Sequence, residues 1–360
     1  MRPAAIEEMS RVMRDVHGNP SGSHRVARAA NREVDEAREV LGELLGVLPG
    51  DVIFTSGGTE ADNLAVCGVG GSVVCSAVEH PAVLASVEHL GGAIVGVDAN
   101  GIVDEESLRS VSSDQTTLVS VMLVNNETGI TQSLSQLATV VRECAPNARI
   151  HTDAVQAAAW LDLPTVAADA DLISISGHKF GGPKGVGALG LRNGVKLDPQ
   201  SRGGSQERDR RGGTHNVAGI AGLKTAAIEM MREREAESAR IRLLRDQLLD
   251  GLVATIPGCT ETGERHLKTP NIAHVCFDGI ESEALLFLLE RADIMATAAS
   301  SCASGAIEPS HVLAAMGVER ERALGSLRLS LGYTSTTADV EAALAALPMA
   351  INQLRSRGSL

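Results

Sequence analysis

The sequence predicts an α/β fold: a large, mostly parallel sheet domain with helices on both faces, followed by a smaller α+β domain. Three observations carry this expectation. From Val52 to Ser176, short apolar runs alternate with helical periodicities, and such alternation implies crossover units and a parallel sheet. One helical pattern then continues over about 216–255, long enough to link two domains. The length of 360 residues is more than one hydrophobic core usually holds. The expected division is a large domain over 1–235, ending in the long linking helix of about 216–255, and a smaller C-terminal domain over 256–360.

The elements follow in order. Between Arg25 and Leu45, the apolar residues Val26, Ala29, Ala30, Val34, Ala37, Leu41, Leu44 and Leu45 recur at three- and four-residue spacing, which is an amphipathic helix. VIFTS reads as a strand, followed by a Gly-Gly turn and the helical TEADNLAVCG. SVVCSAVEH ends at Pro81, which suits the first turn of a helix. AIVGVD, TTLVSVMLVNN, RIHTDA and DLISISG are the next strand candidates. Ser133 is placed to cap the helix LSQLATVVREC. In the long helix, the run MREREAESARIR has mixed charges and reads as a solvated face. The second domain reads as strand NIAHVCF, helix ESEALLFLLER, strand-like IMATAAS, a small-residue loop, helix SHVLAAMG, strand SLRLSLG and a last helix from Ala338.

Composition excludes several function classes. There are 45 acidic residues against 32 basic ones, for a formal charge of −13. That argues against nucleic-acid binding, because phosphate contacts need clustered Lys and Arg. No apolar run approaches the roughly 20 residues that span a bilayer, and MRPAAIEEMSRVMRDVHG carries charges where a secretory signal needs an apolar stretch. A cytoplasmic enzyme is expected, with no membrane partner. Aromatic residues are 2% of the chain, too few for an aromatic stacking platform. The six cysteines form no C-x-x-C pair and no zinc-ligand spacing, so no metal site is expected.

In an open parallel sheet, ligands bind at the carboxyl ends of the strands. Polar residues follow each strand candidate there: Gly57-Gly58-Thr59-Glu60, Glu79-His80, Asn125-Asn126-Glu127, Asp153 with Gln156, and Ser176-Gly177-His178-Lys179 before a glycine-rich stretch to Gly185. Singly, each is ambiguous. Gly-Gly-Thr opening a helix is an anion site or only a tight turn. Gly181–Gly185 lacks the P-loop pattern and reads as a glycine-rich hairpin. His80 is a base or a structural histidine, Asp153 a ligand or a helix cap, Cys302 a nucleophile or a small hydrophobe.

Together they say more. An anion cup, an Asp, a His and a Lys at successive strand ends are the parts needed to hold pyridoxal 5'-phosphate. The cup takes the phosphate and the Asp pairs with the pyridinium nitrogen, keeping the ring an electron sink. The Lys supplies the amine of a Schiff base, which needs a lowered pKa. Lys179, in a turn after an apolar strand, is expected to be desolvated toward its neutral form.

The stretches SGGTEADNLAV, VEHPAV, VNNETG, HTDAVQ, SISGHKFGGPKGVGAL, RRGGTHNV, SSCASGAIEPSHVL and SLRLSLG resemble the cysteine desulfurases, pyridoxal-phosphate enzymes of the class V aminotransferase group with the fold-type I architecture. The resemblance runs from about Pro3 to the last helix. It implies that Lys179 carries the cofactor as a Schiff base, and that His80 stacks on its ring and takes part in proton transfers. Asp153 would bind the pyridinium nitrogen, with Gln156 and Asn126 by the phenolic oxygen or the substrate. Gly58, Thr59, Ser176 and His178 would form the phosphate cup, and Thr214 would reach the phosphate of the neighbouring subunit in a homodimer. Arg328 would clamp the substrate carboxylate, a task suited to a bidentate guanidinium.

The resemblance makes Cys302, among small residues in SSCASGAIEPSHVL, a cysteine on a flexible arm of the smaller domain. Its thiolate would take sulfur from L-cysteine as a persulfide and release L-alanine. A sulfur-acceptor scaffold or carrier protein for iron–sulfur cluster assembly or thiolation is the implied partner, and Cys302 would ligate a metal cluster only transiently on such a scaffold. The other five cysteines lie in apolar or strand contexts. Family members begin with a strand and turn resembling YLDNAATTP, and this chain starts inside that segment. The alternatives are a selenocysteine lyase or other class V aminotransferase-type enzyme, or, because of that short start, a catalytically silent assembly protein.

Overall fold

The computed structural model describes residues 1–298, 301–303 and 306–357, with the backbone alone for 301–303, 306–308 and 357. Two compact units divide them. The first comprises residues 1–95, 105–124 and 132–234, and the second comprises 96–104, 125–131 and 235 onward.

The first unit opens with α1 (Pro3–Asp15) and α2 (Arg25–Leu45). The 3.6-residue period of α2 places Ala27, Ala30, Val34, Ala37, Leu41, Leu44 and Leu45 in the core. The helix ends where Gly46 takes φ 63°, the left-handed turn a glycine adopts without strain. Next come β1 (Val52–Thr55), α3 (Gly58–Val69), β2 (Ser72–Ser76), α4 (Pro81–His89) and β3 (Ala93–Val95). They are followed by α5 (Glu105–Val111), β4 (Thr116–Ser120), α6 (Leu134–Cys144), β5 (Arg149–Asp153), α7 (Leu163–Val166), β6 (Leu172–Ser176) and β7 (Gly187–Leu191).

The seven strands form one sheet in the order β1-β7-β6-β5-β4-β2-β3. β2 is parallel to β3 and β4, β4 to β5, and β5 to β6. Only β7 runs against its neighbours β1 and β6. All the others therefore point the same way, and their carboxyl ends share one edge. α3 buries Ala61, Leu64 and Ala65 in a cluster with Ile53, Val73, Leu118, Leu172 and Leu189 of the strands.

The glycine-rich stretch expected as a hairpin joins β6 to the antiparallel β7, although the sequence reading left β7 itself unlisted among the strands. Pro81 stands at the first turn of α4. Ser133 occupies the amino-terminal cap position of α6, but its hydroxyl makes no capping hydrogen bond, so that cap works by backbone conformation alone.

α8 (Val217–Thr255) is the 39-residue helix expected from the sequence. The second unit adds β8 (Cys259–Glu261), β9 (Ile272–Phe277), α9 (Ser282–Glu290), β10 (Ser301–Ala303), β11 (Ala306–Glu308), α10 (His311–Ala315), α11 (Arg320–Leu324), β12 (Ser326–Ser330) and α12 (Thr337–Arg357). β12, β9 and β8 form an antiparallel sheet in that order. Over its described residues 294–298, IMATAAS does not form the expected strand: Thr297 alone bridges, to Arg328. Asp293, just before this stretch, takes φ 58°. The stretch read as a loop around Cys302 includes the hairpin β10–β11, with Cys302 opposite Ile307.

Candidate active site

The residues singled out at the strand ends of the first unit stand along the common carboxyl edge, where an open α/β sheet forms its binding crevice. β1 leads through Ser56 and Gly57 into α3. Gly57 has φ 155°, a conformation that a side chain resists. A Cβ on Gly58 would stand 2.7 Å from Val155 Cγ2, and one on Gly187 would stand 2.8 Å from the Gly57 carbonyl carbon. Glycine lets the backbone of β7 approach the Gly57 turn at Gly187, and lets the Val155 side chain pack against the start of α3 at Gly58. No side chain caps the amino terminus of α3, so its N–H groups and the positive end of the helix dipole are presented at the edge. The one acid in its first turn, Glu60, is turned aside. Glu60 accepts from Ser56 N at 2.7 Å and from Arg211 at 2.7 and 3.3 Å. Burial pushes its carboxyl up, but Arg211 and Ser56 outweigh that and hold it below its ordinary value.

Ser176 ends β6, and its hydroxyl lies 2.9 Å from His178 Nδ1, which fixes the imidazole that precedes Lys179. Partial burial, then the charges of Lys179 and Lys184, push His178 down and favour its neutral ring. Lys179 itself is exposed. It is not buried as the sequence reading expected, because the turn over Gly177–Phe180 lifts residues 178 and 179 above the buried strand.

Asp153 ends β5 and is buried, with Oδ1 accepting from Val155 N at 2.8 Å. Burial raises its pKa to about 6, opposed by the Val155 N–H and the positive charge of Lys179. Gln156, three residues on, is half-buried. His80 is the amino-terminal cap of α4, its Nδ1 accepting from Ala82 N at 3.1 Å. Thr59 and Thr214 are exposed.

Beneath this edge lies a buried polar cluster that the sequence reading did not assemble. His151 Nδ1 lies 2.8 Å from Ser120 Oγ and its Nε2 3.0 Å from Ser174 Oγ, with Asp62 Oδ1 at 3.7 Å. Burial drives His151 down to about 3. The same burial raises Asp62, with the Asp153 charge adding to it. Glu79 accepts from Ser76 Oγ at 2.8 Å and from Met122 N at 2.5 Å, and burial raises it to about 8. The signal was present as charged residues inside apolar runs, in SGGTEADNLAV, SVVCSAVEH and RIHTDA. Only the sheet order brings those three runs together.

In the second unit, Arg328 of β12 donates from Nη1 to the Asn126 carbonyl at 2.7 Å, and its backbone bridges Thr297. Arg328 Nε is buried with no hydrogen-bond partner among the described residues, which leaves it open to a further acceptor. Beside Asn126, Glu127 accepts from the hydroxyl of Ser310, which also caps α10 by accepting from Val312 N and Leu313 N. The side chain of Cys302 lies outside the described residues, as do Ser300, Ser304 and Gly305. Among the described residues, no group of His, Cys, Asp and Glu is arranged to hold a metal ion, and no helix is long and apolar enough to cross a membrane.

The first unit's residues fit pyridoxal phosphate on their own chemistry. An uncapped helix start suits a dianionic phosphate, a buried carboxylate suits a protonated ring nitrogen, and an accessible amine suits an aldehyde. Those three partners match the three ends of one cofactor, and the class of protein they define on this sheet is the fold-type I pyridoxal-phosphate enzymes. The chain belongs to the class V aminotransferase family, whose model matches residues 1–343.

Among curated relatives it is 44% identical to the "IscS-like cysteine desulfurase" of Mycobacterium tuberculosis, over 99% of this chain and 94% of that protein. It is 41% identical to the "Cysteine desulfurase" of Gluconacetobacter diazotrophicus, over 98% of this chain and 91% of that one. Of solved structures, a "NifS-like protein" superposes with a TM-score of 0.91 at 32% identity, covering 98% of this chain and 97% of that one. The NifS-like protein of Rickettsia africae does so with 0.89 at 28% identity, over 98% and 96%.

Proposed function

We propose that this protein is a cysteine desulfurase that converts L-cysteine to L-alanine and passes the sulfur to Cys302 as a persulfide. The observation that carries this reading is similarity at 37–44% identity, over almost the whole chain, to relatives named for that activity. The retained Lys179, His80, Asp153 and Arg328 support it.

When bound, pyridoxal phosphate supplies an electron sink for an amino acid joined to it. The chain's own residues do the rest. The amino terminus of α3, with Gly58, Thr59, Ser176 and His178, would hold the phosphate. Asp153 would keep a proton on the ring nitrogen, and Gln156 and Asn126 would face the phenolic oxygen or the substrate. Lys179 would hold the cofactor and, once displaced by substrate, carry a proton. His80 accepts from Ala82 N through Nδ1, which leaves its proton on Nε2, the atom through which it would exchange protons. Arg328 would bind the substrate carboxylate.

The conversion breaks the Cβ–S bond of L-cysteine and forms an S–S bond at Cys302. Two electrons and a proton return to Cβ, so no external oxidant or reductant is consumed. The proposed working form is a cytoplasmic homodimer in which Thr214 reaches the partner's phosphate site, and the persulfide is passed to a scaffold or carrier protein.

The test is the visible absorption of the purified protein before and after L-cysteine, followed by alanine and sulfide assays on Cys302→Ala. A cofactor band that shifts with L-cysteine, together with loss of sulfur transfer in Cys302→Ala, is the expected result. A protein that stays colourless when supplied with pyridoxal phosphate overturns the reading. Undiminished sulfur release from Cys302→Ala removes Cys302 as the acceptor.

A further inference from the structure

The segment before Thr214 holds three consecutive non-glycine residues in the left-handed region: Glu207, Arg208 and Asp209, with φ of 49°, 56° and 62°. Each such residue is strained, and a run of three persists only where surrounding contacts over-determine it. The contacts are there, and they centre on Glu207. Its side chain is buried and accepts from both Nη nitrogens of the Arg38 guanidinium, at 2.8 and 2.9 Å. Arg38 is itself fixed, donating to the Val52 carbonyl and lying 4.8 Å over the Phe54 ring. The Glu207 carboxylate also holds His215 Nε2 at 2.6 Å.

Around this centre, Arg210 donates to the Gly50 carbonyl at 2.8 Å, and Gly213 N donates to Gln206 Oε1 at 3.0 Å. Thr214 is exposed and lies between Gly213 and His215, the two residues tied back to Gln206 and Glu207. A strained turn is thus bolted to β1 and α2 through one buried carboxylate, and the exposed residue between the bolts is Thr214.

We infer that Glu207 is a positioning residue for the active site of a second copy of this chain: by clamping Arg38 and His215 it holds Thr214 at the orientation in which it meets the partner's phosphate. This rests on the homodimer reading above, in which Thr214 acts across the interface. A residue that only stabilised its own fold would affect the cofactor of its own subunit, whereas the clamp acts on the cofactor of the other.

Mixed dimers separate the two. One copy carries Lys179→Ala and intact Glu207, and the other carries Lys179 and Glu207→Ala. The readout is cofactor release after dilution, followed by loss of the visible band. The Glu207→Ala homodimer is expected to lose cofactor about tenfold faster or more, the effect of one lost hydrogen bond to a charged group. The mixed dimer, whose sole Lys179 site receives an intact clamp from the other copy, is expected to release it at the wild-type rate. Glu207→Gln, which keeps the shape and one acceptor, is the variant to use if Glu207→Ala does not fold, and it should show the same pattern at smaller size.

Fast release from the mixed dimer, or wild-type release from the Glu207 homodimers, overturns the inference. Sedimentation and Thr214→Ala keep the two readings apart. A monomeric chain, or unchanged release from Thr214→Ala, removes the shared site and the clamp with it. Fast release from Thr214→Ala beside wild-type release from Glu207→Ala removes the clamp alone.

Discussion

His151 Nε2 lies 3.0 Å from Ser174 Oγ, while Nδ1 of the same ring lies 2.8 Å from Ser120 Oγ. A histidine on β5 is thus held between hydroxyls on the two neighbouring strands, one layer beneath the edge at which Asp153 stands. Burial holds the ring neutral, with its pKa near 3, against an ordinary value of about 6.5 in the unfolded chain. The folded value is depressed, so the contribution is complete above the unfolded pKa and is lost as pH falls toward the folded one. Stability relative to His151→Gln is expected to fall by about 1.4 kcal/mol per pH unit between roughly pH 6.5 and 3. Urea denaturation of both proteins across that range measures it, and parallel curves would refute it. Glu79, raised to about 8, acts with the opposite sign in both proteins and cancels in the comparison.

Asp153→Asn is expected to separate stability from function. In the free chain the buried carboxylate titrates near 6 rather than about 3.9, so holding it ionised at pH 7 costs on the order of 3 kcal/mol. An amide keeps the acceptor for Val155 N without that charge. The cofactor-free variant should therefore melt at or above the wild type at pH 7, while activity drops by about a hundredfold or more for want of a charge opposite the ring nitrogen. Calorimetry of the cofactor-free protein and steady-state kinetics check the two halves, and a variant that is active at the wild-type rate sinks the assignment.

Arg328→Lys keeps a charge but loses the guanidinium fork, and also the Nη1 donor that holds the Asn126 carbonyl at 2.7 Å. A rise in KM for L-cysteine of about tenfold or more is expected, with unchanged retention of pyridoxal phosphate. Equal loss of both would mean that Arg328 supports the fold rather than the substrate.

Gly58→Ala places a methyl group 2.7 Å from Val155 Cγ2. The first turn of α3 must then move away from the segment after β5, and cofactor affinity should fall about tenfold while the cofactor-free protein loses about 1–3 kcal/mol from overpacking. Fluorescence titration with pyridoxal phosphate tests the affinity. Unchanged binding would place the phosphate elsewhere.

Ser310→Ala removes a helix cap and the hydrogen bond to Glu127 together. A loss of about 2–3 kcal/mol in stability is expected, with the cofactor band unchanged. A concurrent loss of the band would show that the Glu127 loop takes part in holding the cofactor.

Much of this molecule could be read along the chain. The period of α2, the length of α8 and the punctuation of Pro81 are local properties of backbone and side-chain spacing, and they survive into the structure unchanged. So do the positions of Asp153, Ser176 and Lys179, because a polar residue directly after an apolar strand has nowhere to stand except at the sheet edge. What failed was also local: of the described part of IMATAAS only Thr297 bridges to another strand, and Ser133 keeps its cap position without using its hydroxyl.

Family, cofactor chemistry and the strand-end residues were legible because each is set by residue type at short spacing. The neutral His151, the raised Glu79 and Asp153, the exposure of Lys179 and the clamp on Glu207 were not. Each depends on which strands become neighbours, or on a contact such as Arg38 to Glu207 that spans 169 positions. Desolvation and ion pairing are properties of three-dimensional surroundings, and no spacing along a chain encodes them until the sheet order has been set.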